Sequence, residues 1–345
     1  MPPNRKPNKL NRTLHISTSP HITKGIGTDD IMRNVVWALL PVAAYAVWSF
    51  GLSALLLLLV STAACVSTEH VLAKMSKKES TISDWSAVIT GLLLGLTLPP
   101  SFPLWMAFLG GVVAIGLGKF VFGGLGYNVF NPALVGRAFL QAAYPVAITT
   151  WYPVYAPERF TTVSASTLAW PFMEPPTVDA YTGSTPLAAF KFDHVTTSSY
   201  DLAMGIIPGS TGETCPVIIL IGGLYLVARN MMNWRIPASI LATVFTLSGL
   251  LYLSNSEAYP SPVFMLFSGG LMLGAVFMAT DMVASPTSST GVWIYGALIG
   301  ILVVVIRIWG GLPEGVMYAI LLANAVSPHL DNMIRPRVYG TVKSA

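Results

Sequence analysis

The chain has 345 residues, of which 53% are hydrophobic and 10% charged, and its mean hydropathy is +0.64. Soluble domains carry roughly a quarter charged residues, so the composition excludes an ordinary soluble domain and reads as an all-α polytopic membrane protein. The net charge of +4 does not point to nucleic acid, because the basic residues are scattered between apolar runs and form no stripe.

A helix needs about 20 residues to cross a bilayer. Runs of suitable length fall near residues 32–50, 52–73, 86–100, 103–122 and 132–150, and again near 215–228, 236–254, 261–280, 291–308 and 314–328. About ten transmembrane helices in two sets of five are therefore expected. No removable signal peptide is expected either, since the basic N-terminus is not followed by a short apolar core with a small-residue cleavage site.

Lys and Arg set the orientation. Arg5, Lys6, Lys9, Arg12, Lys24 and Arg33 surround the start of the first run, Lys74, Lys77 and Lys78 follow the second, and Arg335, Arg337 and Lys343 lie in the tail. Those segments read as cytoplasmic, and Arg229 and Arg235 fall on the same side by parity. The connection of about 151–214 is acidic on balance and faces outward. The expected organisation is a cytoplasmic segment at 1–31, a first five-helix repeat at 32–150, an outward loop at 151–214, a second five-helix repeat at 215–328 and a cytoplasmic tail at 329–345.

An odd number of helices per half makes any repeat an inverted one. "GLLLG" at 91–95 returns as "GLMLG" at 270–274, and "FGGLG" at 122–126 as "WGGLP" at 309–313. Irregular backbone is then expected near the midplane at 96–103 and 278–288. Such backbone is tolerated only where protein or a water-filled cavity surrounds it, so these breaks mark a polar pathway between the halves, or else plain helix ends with Pro-rich turns.

Two cysteines, Cys65 and Cys215, lie far apart without a CxxC pair, and His15, His21, His194 and His329 have no ligand spacing, so no metal site is expected within the chain. A dinucleotide fingerprint is absent as well.

The polar block "DAYTGSTPL" interrupts this apolar chain at Asp179–Leu187. Its local reading is a loop in which Ser184 or Thr185 caps a short helix beginning at Pro186. The block also resembles the flavinylation signature of the membrane flavin subunits of two related ion pumps. That resemblance extends over "SPHITKGIGTDDIMRNVVWALLP" (19–41), "GLLLGLTLPPSFPLW" (91–105), "GKFVFGGLGYNVFNPALVGRAFL" (118–140), "PGSTGETCP" (208–216), "FMATDMVASP" (277–286) and "PEGVMYAILLANAVSPHLDNMIRPRVYG" (313–340). These blocks are similar to the D subunit of Rnf complexes, and the core ones to the B subunit of the sodium-pumping NADH:quinone oxidoreductase.

The resemblance implies FMN joined through its phosphate to Thr185, with Asp179, Thr182, Gly183 and Ser184 as the motif read by a flavin transferase. Ser184 stands where alanine is more usual. It also implies a second, noncovalent flavin, riboflavin, near Asn128 and Asn131. These two lie three residues apart, on one face if the segment is helical; alternatively, they satisfy broken backbone around Pro132.

Glu69, Asp281 and Glu213 lie in or at the ends of apolar runs, where an ionisable group costs at least ~2.5 kcal/mol near the bilayer centre. They are candidates for an ion pathway. For Glu69 the alternatives are a partnership with His70 or snorkelling to the surface, and for Glu213 a turn followed by a helix start. Arg307 either snorkels or pairs with an anionic group.

The function implied is that of a membrane subunit of a ferredoxin:NAD⁺ oxidoreductase complex, carrying electrons through flavin and coupled to Na⁺ or H⁺ translocation. Other Rnf-type subunits, including a second FMN-carrying subunit and iron-sulfur subunits, would be its partners in a bacterial cytoplasmic membrane. A passive solute channel on the same scaffold, or a structural anchor with the motif unused, are the alternatives.

Overall fold

The computed structural model describes residues 27–77, 81–171, 173, 184–213 and 215–334, and among them it contains helices and no strands. Four helices are long and apolar enough to cross a membrane: α1 (Thr28–Phe50), α2 (Leu52–Met75), α10 (Arg235–Ser254) and α13 (Ser289–Trp309). At 1.5 Å per residue, α2 with its 24 residues is about 36 Å long, enough for the ~30 Å hydrocarbon layer.

The remaining elements, in chain order, are α3 (Ser86–Thr97), α4 (Leu104–Ile115), α5 (Pro132–Ala143), α6 (Pro145–Thr149), α7 (Pro186–Asp193), α8 (Ser199–Met204), α9 (Pro216–Ala228), α11 (Pro262–Phe267), α12 (Leu271–Leu273) and α14 (Val316–Met333). A π-helical turn, Gly116–Phe120, continues α4, and a second, Gly274–Met278, continues α12.

Each apolar run is helical, yet three are interrupted. The run at 86–100 stops as a helix at Thr97, and Leu98 is extended (φ −95°, ψ 154°) before the Pro-rich turn. The run at 132–150 breaks at Tyr144, ahead of Pro145. The run at 261–280 breaks inside itself, at Ser268–Gly270, in addition to the irregular backbone at 279–288, which falls where it was expected. Gly269 explains the position of that break. Its φ is +65°, and a Cβ there would collide with Glu314 Oε2, so the chain turns out of the helix where no side chain fits.

Three helix pairings recur in the two parts of the chain. In the first, α2 packs on α3 and α4, and α4 on α5; in the second, α10 packs on α11 and α13, and α13 on α14. Contacts between the halves run through α1 with α9 and α5 with α14. Small residues allow the close approaches, as is usual where apolar helices have no water to expel. A Cβ on Gly91 would run into Thr62 Cα, and one on Gly296 would lie 2.6 Å from Ser239 Cβ. Hydroxyls bond across the same seams, Ser61 Oγ to the Gly91 carbonyl at 3.0 Å and Ser239 Oγ to the Trp293 carbonyl at 2.7 Å.

Gly91→Ala and Gly296→Ala should each lower the stability of the detergent-solubilised protein by about 1–3 kcal/mol through overpacking, seen as a reduced thermal midpoint. Gly116→Ala, whose Cβ would meet nothing within 4 Å, should leave the midpoint near that of the wild type.

Candidate functional site

Two clefts, largely apolar but each carrying a few polar and charged side chains, lie one at each end of α5. The first is lined by Ile31 and Val35 of α1, Ile89, Thr90 and Leu93 of α3, Leu226 of α9, and Phe277, with a polar edge formed by Ser86, Lys119, Asn128, Asn131 and Asp281. Both π-helical turns contribute to it, through Lys119 and Phe277. A π turn shifts the side-chain register locally and is frequently found at functional sites.

The segment before Pro132 is not helical, so Asn128 and Asn131 share no helical face, and both take the alternative role of satisfying broken backbone around it. Asn131 is the N-cap of α5: its Oδ1 accepts from the Ala133 and Leu134 amides at 3.0 and 3.4 Å, while its Nδ2 donates to the Met278 carbonyl at 3.2 Å. Asn128 Nδ2 donates to Asp281 Oδ2 at 3.1 Å and to the Phe130 carbonyl at 3.3 Å. The two amides thus sew the first half to the second at the floor of the cleft.

Glu69 is buried in α2, and its partner is neither His70 nor water at the surface. Lys119 Nζ donates to Glu69 Oε1 at 2.8 Å, to Oε2 at 2.9 Å and to Ser86 Oγ at 2.5 Å. Both side chains are 5% exposed. Thr81 Oγ1 adds a short hydrogen bond to Glu69. Ser86 Oγ in turn donates to Asp84 Oδ1 at 2.5 Å, which also accepts from the Ser86 amide at 2.8 Å. Asp84 Oδ2 is buried and has no hydrogen-bond partner.

The second cleft is lined by Arg137 and Gln141 of α5, Ile148, Thr149, Trp151, Thr185, Leu187, Glu213, Gly269, Glu314 and Tyr318. Thr185 has an extended backbone (φ −65°, ψ 153°) and caps α7, its Oγ1 accepting from the Ala188 amide at 3.3 Å. It is 8% exposed, whereas Ser184 is exposed. Lys191, further along α7, donates to the carbonyls of Arg307, Gly310 and Leu312 and so ties this helix to the end of α13. Asp179, Thr182 and Gly183 lie outside the described residues.

Arg307 does not snorkel. It is 4% exposed, and its guanidinium donates to the Met265 carbonyl at 2.6 Å, the Ser268 carbonyl at 2.9 Å and Glu314 Oε1 at 3.3 Å. The other Glu314 oxygen accepts from the Gly270 amide at 3.1 Å. Arg137 does the same for α3, donating a short hydrogen bond to the Thr97 carbonyl. Glu213 lies in the turn before α9, not in the helix. Its Oε2 accepts from the Ser210 amide at 3.3 Å, and the charges that act on it are those of Glu314 and Arg137.

The three candidate acids are therefore not one cluster. Glu69, through Lys119, and Asp281 approach the first cleft, and Glu213 belongs to the second. The sequence reading missed Lys119, Asp84, Arg137 and Glu314. Lys119 and Arg137 were visible in it as basic residues inside apolar runs, the same signal that drew attention to the acids. No group of three or more His, Cys, Asp or Glu side chains able to hold a metal ion is present among the described residues.

A helical membrane protein with two clefts that carry ionisable side chains among apolar helices is the class that this geometry defines. Residues 15–340 match the family described as NQR2, RnfD, RnfE, and the chain belongs to that family. It is 39% identical to the D subunit of the Na(+)-translocating ferredoxin:NAD(+) oxidoreductase complex of Acetobacterium woodii, over 97% of this chain and 98% of the relative. It is also 39% identical to the D subunit of the proton-translocating ferredoxin:NAD(+) oxidoreductase complex of Clostridium ljungdahlii, over 94% and 96%. The D subunit of the ion-translocating oxidoreductase complex of Alcanivorax borkumensis is 38% identical over 95% and 97%.

Arg307→Met should cost about 1–3 kcal/mol, because it leaves the Met265 and Ser268 carbonyls without their buried donor and the partly exposed Glu314 without its counter-charge. Arg307→Lys should recover only part of the loss, since one ammonium does not reproduce the guanidinium fork; thermal unfolding in detergent measures both.

Proposed function

We propose that this chain is the D subunit of an ion-translocating ferredoxin:NAD⁺ oxidoreductase complex, and that it carries electrons between a covalent FMN and a noncovalent flavin. Similarity over nearly the full length of relatives bearing that name supports the assignment. Equal identity to a Na⁺- and a proton-translocating relative leaves the two ions on the same footing. The crossings are ten, in two inverted five-helix repeats with the domain limits expected from the sequence; three helix pairings that recur in the two halves support the repeat. Both termini face the cytoplasm, and the 151–214 loop faces outward.

The observation that carries the flavin reading is the position of Thr185. It stands at the N-terminus of α7 and faces a cleft that reaches Arg137. A phosphoester on its hydroxyl would place anionic oxygens at the positive end of the helix, an arrangement helix N-termini favour. The residues present therefore fit the attachment of FMN phosphate. Esterification would turn the hydroxyl that now accepts from the Ala188 amide into a bridging ester oxygen, a weaker acceptor, while Lys191 would still hold α7 against the end of α13.

The first cleft suits a second flavin, riboflavin. Its walls are apolar, and its polar edge holds the amides of Asn128 and Asn131, a pattern common to sites for planar organic ligands. Pro132 lines this cleft and Gln141 the other, nine residues apart on α5 or about 14 Å along its axis. Flavin supplies the redox chemistry in such a pair; the protein supplies position and potential. Glu69 and Asp281 form part of the ion pathway at the first cleft, with Glu213 at the second. Other Rnf-type subunits, including a second FMN-carrying one and iron-sulfur subunits, handle the terminal donor and acceptor.

Coexpressed with its flavin transferase, the wild-type chain should give a fluorescent band on a denaturing gel. Thr185→Val should be dark; a dark wild type, with the transferase active on a control, would reverse the flavin reading in favour of a channel or anchor. In the intact complex, Glu69→Gln or Asp281→Asn should lower the number of ions moved per electron. Unchanged coupling in both would remove those residues from the pathway.

A further inference from the structure

Lys119 belongs to two environments at once. Its ammonium holds both oxygens of Glu69 and the Ser86 hydroxyl, and it also lines the cleft whose polar edge includes Asp281. The ionisable groups around it are Glu69, Asp84 and Asp281, with the Cys65 thiol one turn from Glu69 on α2. Counting Glu69, Asp84 and Lys119 alone, two carboxylates face one ammonium in a buried group, and Asp84 Oδ2 is left with no partner. A buried oxygen without a partner is costly, and it marks a place where a cation would be welcome.

We propose that Lys119 is a tethered charge that couples reduction in the cleft to binding of one monovalent cation between Glu69 and Asp84. The inference rests on the reading that a flavin occupies this cleft. When one electron from reduced ferredoxin has added one negative charge there, Lys119 swings its ammonium from Glu69 toward that charge. The Glu69 carboxylate then holds only the Thr81 hydroxyl, and it takes one Na⁺ or one proton together with the free Asp84 oxygen and the Ser86 hydroxyl. One electron enters and one cation follows, so the buried group keeps its net charge. Onward transfer of that electron, through the other subunits to NAD⁺, returns Lys119 to Glu69 and expels the cation. The lysine acts as an internal competitor, which is how a change of charge in one site alters affinity in another without contact between the ligands. Such coupling is reciprocal: a cation bound more tightly after reduction must raise the flavin's potential by the same factor.

The test uses the purified intact complex, with wild type, Glu69→Gln, Lys119→Met and the double variant Glu69→Gln/Lys119→Met, whose cluster loses both charges of the pair and avoids a stranded ion. Acid-released flavin reports occupancy, and optical redox titration of that flavin reports its midpoint potential over a range of Na⁺ at fixed pH, then of pH without Na⁺. The wild-type potential should rise with Na⁺ if the cation is sodium, or show a pH slope beyond that of the variants if it is a proton. Glu69→Gln and the double variant should lose this dependence. At low cation, Lys119→Met should shift the reduced-to-oxidised ratio about tenfold toward oxidised, about 59 mV for one electron, and Glu69→Gln, which frees the ammonium, should shift it the opposite way. Flavin present in every variant, with the same cation dependence throughout or shifts of one sign in both single variants, overturns the coupling alone. Release of no flavin from the wild type, or of as much from Asn128→Leu, overturns the cleft assignment and the coupling with it.

Discussion

A peptide group that leaves a helix inside an apolar interior must find another partner, and much of this structure follows from that requirement. The end of α3 is met by Arg137 at Thr97 and by the 208–213 loop, whose Gly212 amide donates to the Leu96 carbonyl at 2.6 Å and whose Thr211 amide donates to Leu98 at 3.0 Å. The end of α11 is met by Arg307, and the Met278 carbonyl by Asn131. In each case the donor comes from a distant part of the chain. Breaking the helices is thus also what ties the fold together.

The same requirement places charge deep in the protein. The C-terminal end of a helix carries partial negative charge, so guanidinium groups at the ends of α3 and α11 are favoured there, and they bring Glu213 and Glu314 with them as counter-charges. A cleft between interrupted helices then carries polar groups without any functional demand. What distinguishes the two clefts is what else they contain: Thr185 at the start of α7 in one, and the Lys119 side chain, shared between Glu69 and the cavity, in the other. A buried ion pair is weak evidence for stability, and its placement at the wall of a cavity suits a role in coupling.

The long helices were legible because their signal is local. An apolar run of 20 residues has few alternatives in a bilayer, and the Thr185-Pro186 pair announces a cap whatever surrounds it. The site was legible only in part. Asn128 and Asn131 were found by type, but their spacing suggested a shared helical face that the turn before Pro132 does not provide. The internal break at Ser268–Gly270 was hidden within an apolar run, since its cause, the approach of Glu314, lies 44 residues further on.

By itself the sequence determined the helical class, the apolar segments, the capping of α7 and which ionisable residues are out of place in lipid. Only the tertiary structure decided their partners: Glu69 with Lys119, 50 residues away, Asn128 with Asp281, 153 away, and Arg307 with the end of α11. Propensity and hydropathy act within a turn or a run, whereas the partner of a buried charge is set by the register in which whole helices pack. That register depends on side-chain fit at contacts such as Gly91 on Thr62 and Gly296 on Ser239, which exist only once the helices have met.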